Sequence, residues 1–138
     1  QISTMAKTYK IFISHSWDHL DDLKRLRNLL ERRGYFRVEF TEASPDNPIN
    51  SDNNKYIRII LSQKIESSDI VLGIAGVYAS YSDWMQWEMD KARDLGLKVI
   101  GVIPRGQERI SSQVYSRSVE DVRWNADSIV AAIRRNVK

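Results

Sequence analysis

Ile70-Val71-Leu72-Gly73-Ile74-Ala75 is a continuous apolar run, introduced by Asp69 and followed by the small and polar stretch Gly76 to Asp83. It does not alternate, so it is not a half-solvated strand. Unbroken apolar runs of this length suit a central parallel strand covered on both faces. Lys98 to Ile103 (KVIGVI) repeats the pattern. Between the two, Trp84 to Leu95 reads as a helix closed by Gly96. This strand–helix–strand unit is the module of a parallel sheet.

The same alternation extends outward. Tyr9 to Ser14 (YKIFIS) reads as a first strand, and Leu20, Leu23, Leu26 and Leu30 recur at helical spacing up to a glycine stop at Gly34. Phe36 to Thr41 (FRVEFT) alternates with period two, as an edge strand does. Glu42 to Asn54 is a polar loop containing Pro45 and Pro48, and a loop of that length is often functional. Ser51 or Asp52 is positioned to cap a helix whose buried stripe is Ile57, Ile60, Leu61 and Ile65. After the irregular stretch Pro104 to Ser118, Val119 to Val122 reads as a weak strand. Asn125 then caps a last helix with Ile129, Val130 and Ile133 inward and Arg134, Arg135 and Lys138 in its final turn. The expected fold is α/β: a doubly wound, flavodoxin-like parallel sheet of about five strands, order 2-1-3-4-5, with helices on both faces.

Composition narrows the function. The chain has 138 residues, a single domain's length, with 42% hydrophobic residues. It has no cysteine, which fits a reducing compartment and a cytoplasmic location. Gln1 to Thr4 precede Met5 and read as an expression remnant. No apolar run approaches the ~20 residues that span a bilayer, so no membrane is expected. The charge is +3, from 21 basic and 18 acidic residues. The basic residues are dispersed, as in Lys24, Arg25, Arg27, Arg32 and Arg33 among Asp18, Asp21, Asp22 and Glu31. That describes a solvated helix face rather than a nucleic-acid surface.

In a fold of this kind ligands bind outside the carboxyl ends of the strands, where the winding direction reverses. Here that crevice lies between Ser14 to Asp18 and Gly76 to Asp83. No dinucleotide G-x-G-x-x-G, P-loop or G-x-S-x-G elbow occurs, and no aspartate ends the third strand. Two histidines do not make a metal cluster. What remains is Glu88. On a helical wheel it shares the apolar stripe of Trp84, Met85, Ala92 and Leu95, while Asp90, Lys91 and Asp94 face solvent. A carboxylate among apolar neighbours is costly unless it is paired or used. It is either a structural glutamate held by a basic group such as His15 or an arginine, or a working group. Its place at the switch point favours the second. Ser14, just past the strand, aims its hydroxyl into the crevice. Ser16 or Asp18 is expected to cap the first helix. Trp17 could stack on a flat ligand or pack at the helix end, and His15 could serve as acid or base or as a satisfied structural residue. Tyr78, Tyr81, Ser82 and Trp84 line the opposing side.

IFISHSWDH, the segment DIVLGIAGVYASYSDWMQWEMDKARDLGLKVIGVIPRG with its W-x-x-x-E helix, and VRWNADSIVAAIRR together resemble the TIR-like family that includes the ThsB component of the Thoeris anti-phage system. The resemblance covers nearly the whole chain from Lys7. It implies a prokaryotic defence enzyme that consumes NAD as substrate, with no cofactor or metal. Nicotinamide would leave, and the ADP-ribose unit would become a cyclic or conjugated signal sensed by a separate effector protein. Self-association and a phage-derived trigger are the further partners implied. Glu88 falls on the family's catalytic glutamate and Ser14 on the nucleotide-pocket loop. A carboxylate beside the ribose would stabilise an oxocarbenium-like transition state. The Glu42 to Asn54 loop lacks the Arg-Asp…Pro-Gly pattern of animal signalling TIR domains. A non-catalytic interaction module and a nucleoside deoxyribosyltransferase-like enzyme are the alternatives.

Overall fold

The computed structural model describes residues 7–43 and 52–137. Over these residues the chain runs β1 (Thr8–Ser14), α1 (Leu20–Glu31), β2 (Arg37–Phe40), α2 (Asn54–Glu66) and β3 (Ile70–Ile74). A 3-10 turn (Val77–Tyr81) follows, then α3 (Asp83–Asp94), β4 (Val99–Ile103), α4 (Ser112–Tyr115), β5 (Glu120–Arg123) and α5 (Ala126–Asn136). The strands form one sheet in the order β2-β1-β3-β4-β5, every neighbouring pair parallel. The order is the one expected, and β2 is an edge strand.

The sheet is buried on both faces because its strands carry apolar side chains on both. Ile11 and Ile13 of β1, with Ile70, Leu72 and Ile74 of β3, pack against α1 and α5 through Leu23, Leu26, Leu30, Ile129 and Ile133. Phe12, Val71 and Val99 point the other way, onto α2 and α3 through Leu61, Ile65, Met85 and Met89. Each such side chain contributes roughly 1.5–3 kcal/mol on burial. Gly73 permits the close approach of α3. A Cβ there would lie 3.1 Å from the Met89 Sδ and 3.4 Å from a Val114 methyl. Ser14 pairs with Gly73 across the ladder. It shares the parity of Phe12, which turns its side chain toward α3.

Several local expectations are corrected. Neither Ser16 nor Asp18 caps α1: the N-cap position is His19, without a side-chain cap bond, and Ser16 bonds His19 through its Oγ instead, at 3.0 Å. The cap of α2 is Asn53, not Asp52; its Oδ1 accepts from the Lys55 and Tyr56 amides. Ser51, Lys138, the Gln1 to Thr4 segment and most of the loop after Glu42 lie outside the described residues. Gly34 is not the left-handed stop. The helix has already closed through Arg32 N–H to the Asn28 carbonyl, and Tyr35, 98% exposed, takes the positive φ of 59° one residue later. That backbone choice costs about 1–2 kcal/mol in a non-glycine residue. In α3 the buried stripe is Met85, Glu88, Met89 and Ala92. Leu95, expected in it, is exposed because the helix has ended and Gly96 turns the chain at φ 78°. The short α4 interrupts the stretch expected to be irregular. Asn125 caps α5 as expected, accepting from the Ser128 amide at 3.0 Å.

Candidate active site

Three elements meet at the carboxyl ends of β1 and β3. β1 delivers Ser14, the loop after it delivers His15 and Trp17, and the first turns of α3 deliver Trp84 and Glu88. α3 starts where it does because Ser82 caps it, its hydroxyl accepting from the Met85 amide at 3.2 Å. With the start fixed there, Glu88 falls on the sheet-facing side beside Met85 and Met89.

Glu88 is 2% exposed. Its Oε1 accepts a hydrogen bond from the Ser14 hydroxyl at 2.7 Å, and the Trp17 indole N–H donates to the same carboxyl. No ion pair reaches it among the described residues, so it is not a glutamate held by His15 or an arginine. Burial pushes its pKa up to about 8. The Ser14 bond pulls it back, the charge of Glu42 adds to the rise, and the Trp17 bond again opposes it. A buried carboxyl of this kind is held protonated until something charged approaches.

The other expected site residues separate into two groups. Ser14 is fully buried, and its hydroxyl is turned onto Glu88. Trp17 and Trp84 stack on each other, ring centroids 5.2 Å apart and planes within 5°, and Trp87 meets Trp84 edge-on at 6.0 Å. One face of Trp17 is thus taken by Trp84. Tyr78 stacks on His19 with centroids 3.4 Å apart. Tyr81 is 82% exposed at the rim, and Ser82 is used as the helix cap. A cleft of about 370 Å³, lined by Trp17, His19, Tyr78, Tyr81 and Trp84, opens directly outside the tryptophan pair. It is of the size that holds part of a nucleotide. A larger groove of about 680 Å³, lined by Val77, Ser80, Gln107 and Arg109, lies across the 3-10 turn and contains none of these residues.

His15 is buried with its Nδ1 3.2 Å from the Ile13 carbonyl. A carbonyl can only accept, so Nδ1 carries a proton. Burial lowers its pKa, against the Ile13 bond, and nearby Arg27 lowers it further.

The sequence reading missed Glu42. Its side chain is only 1% exposed, its Oε1 accepts from the Ile13 amide at 3.0 Å, and Arg27 Nε stands 3.6 Å from its Oε2. Burial raises its pKa, opposed by the Ile13 bond and by the charges of Arg27 and Lys64. The signal was available. Period-two alternation turns Phe36, Val38 and Phe40 inward, and it carries Glu42 to the same face.

The family model described as Thoeris protein ThsB, TIR-like domain, matches residues 12–109, which include Ser14, Glu42 and Glu88. The chain belongs to the Thoeris ThsB TIR-like domain family. Three solved structures share the ThsB-type fold at low identity. A 2-deoxyribosyltransferase from Bacillus psychrosaccharolyticus is 19% identical, with TM-score 0.62 over 94% of this chain and 97% of that one. The Clostridium botulinum CMP N-glycosidase BcmB is 17% identical, with TM-score 0.52 over 91% and 98%. The TIR domains of an activated resistosome that recognises the pathogen effector XopQ are 16% identical, with TM-score 0.52 over 72% and 59%. Among curated proteins no match was found.

Proposed function

We propose that this domain is an anti-phage defence enzyme that cleaves the nicotinamide glycosidic bond of NAD and passes the ADP-ribosyl unit into a cyclic or conjugated nucleotide signal for an effector protein. The observation that carries the reading is Glu88. It is a buried carboxyl, uncompensated by any cation among the described residues, at the switch point of a ThsB-type TIR-like fold. Such a group costs stability unless chemistry uses it. In the reaction the bond from ribose C1′ to the pyridinium nitrogen breaks and its electron pair leaves with neutral nicotinamide. A nucleophilic oxygen or nitrogen then bonds to C1′ and gives up its proton. Glu88, ionised beside the cationic substrate, stabilises the oxocarbenium-like ribose, and the Ser14 hydroxyl holds the carboxylate in place.

The test is NAD incubated with the purified protein, alone and with lysate from phage-infected cells, for wild type and Glu88→Gln, read by mass spectrometry. Release of nicotinamide with an ADP-ribose-derived product, lost in Glu88→Gln, supports the reading. No turnover by folded wild type in either condition overturns it and favours the interaction module, to which the closed state of Glu88 also lends support. The likeness to a 2-deoxyribosyltransferase supports another reading, in which Glu88 is a covalent nucleophile toward a nucleoside. A glycosyl adduct trapped on Glu88 would support that one.

A further inference from the structure

Glu42 is a buried carboxylate with one oxygen unused. Oε1 accepts from the Ile13 amide at the point where the β2 backbone has stopped supplying acceptors to β1: Thr41 N–H makes the last ladder bond, to the Ile11 carbonyl at 2.9 Å. Oε2 is buried without a hydrogen bond among the described residues, and its cation, Arg27, is 3.6 Å away and drawn over the Phe40 ring. Capping the Ile13 amide requires an acceptor, which a glutamine would supply without burying a charge. The charge therefore needs a second explanation, and Ser14 supplies one. The residue after Ile13 is the one whose hydroxyl grips Glu88 at 2.7 Å. Two buried carboxyls are thus tied to successive residues of one strand end.

We propose that Glu42 is a positioning residue of this site, which fixes the end of β1 through the Ile13 amide and sets the charge state in which Glu88 meets its substrate. The proposal rests on the reading of Glu88 as the working carboxylate. Arg27 from α1 and Lys64 from α2 oppose the rise that burial imposes on Glu42, whereas no cation acts on Glu88, so Glu42 is the first of the two to give up its proton. His15, between Ile13 and Arg27, is neutral. Glu88 is faced by Ser14 and Trp17, which are uncharged, and by the anion of Glu42. In the resting site Glu88 keeps its proton. A cationic group entering beside it, such as a pyridinium nucleotide, offsets the repulsion and releases that proton. Ionisation then becomes conditional on a cation in the cleft.

The experiment reads charge coupling without turnover. Protein labelled with ¹³C at the glutamate carboxyls is titrated by NMR as wild type, Glu42→Gln and Glu88→Gln, the last variant also assigning the Glu88 signal. In Glu42→Gln, which keeps the Ile13 acceptor, the Glu88 midpoint moves to lower pH by about one unit. Glu42 ionises while Glu88 still holds its proton, so its own midpoint stays where it is in Glu88→Gln, and exchange of the Ile13 amide is the second measurement should Glu42→Gln fold poorly. Ile13 amide exchange quickens about tenfold in Glu42→Ala and is restored in Glu42→Gln. A Glu88 midpoint that stays put in folded Glu42→Gln overturns the proposal, and so does Ile13 exchange that is unchanged in Glu42→Ala. Because no step needs catalysis, an absence of NAD turnover in wild type is a separate result that bears on the function alone.

Discussion

At the scale of one residue, the proposed chemistry turns on the proton of Glu88. With a pKa of about 8 in the free protein, most molecules at neutral pH carry it neutral, whereas stabilising a cationic ribose requires the carboxylate. A kcat/KM profile reports free-enzyme groups. NAD cleavage is therefore expected to rise with pH through the neutral range and to level above about 8. In kcat, which reports the substrate complex, the same limb lies at lower pH because the pyridinium stabilises the anion. Steady-state rates from pH 5.5 to 9.5 check this. A kcat/KM profile flat from pH 6 upward would mean that Glu88 is already ionised in the free protein. Ser14→Ala, which removes the 2.7 Å hydroxyl bond that favours the ionised form, moves the limb to higher pH.

At the scale of elements, the loop from Ser14 to His19 and the start of α3 close the site together. Trp17 lies beside the buried Glu88 and stacks on Trp84, and parting of that pair is the movement proposed to admit a ligand to the carboxyl. Two parallel indoles this close give an exciton couplet in circular dichroism. The couplet is expected in wild type, reduced in Trp17→Leu to what the edge-on Trp84–Trp87 pair gives, lost in Trp84→Leu, and diminished when NAD binds to Glu88→Gln. A couplet that persists under saturating NAD would place the ligand elsewhere. These elements were legible in the sequence to different degrees. The strands and helices could be read because the apolar runs of β3 and β4 and the leucine spacing of α1 are dictated by burial, which acts on every turn. Glu88 could be read because one charged residue broke an apolar stripe. The mutual stacking of Trp17 on Trp84 could not, since nothing local distinguishes an aromatic that receives a ligand from one that receives another aromatic. Glu42 was overlooked because the polar residues after it read as loop, although the parity of β2 continues one step further. The α1 stop was misplaced because a glycine is only permitted, not required, to take the left-handed turn, and Tyr35 took it.

At the scale of the whole molecule, the buried ionisable groups make folding stability depend on pH in a way ordinary surfaces do not. Glu88 binds its proton up to about pH 8 when folded and only to about the ordinary carboxyl value of 4.5 when unfolded. Between those values the folded state holds the extra proton, so stability is fully present below about 4.5 and is lost as pH rises toward 8. Glu42, raised for the same reason, acts in the same direction. His15 opposes them: its pKa is lowered from 6.5, so protonating the unfolded chain lowers stability as pH falls through that value. Above pH 6.5 the histidine no longer contributes and the carboxyl term stands alone. From pH 6 to pH 8 the loss from Glu88 is about 2 kcal/mol, enough to lower Tm by several degrees. Glu88→Gln keeps a polar group in the same space and removes the titration. Its Tm relative to wild type is expected to climb from pH 6 to about pH 8 and to level off above that, whatever its standing at pH 6. Thermal unfolding across that range, in buffers of matched ionic strength, measures the difference directly, and parallel Tm curves for the two proteins would show that Glu88 gives up its proton as readily folded as unfolded.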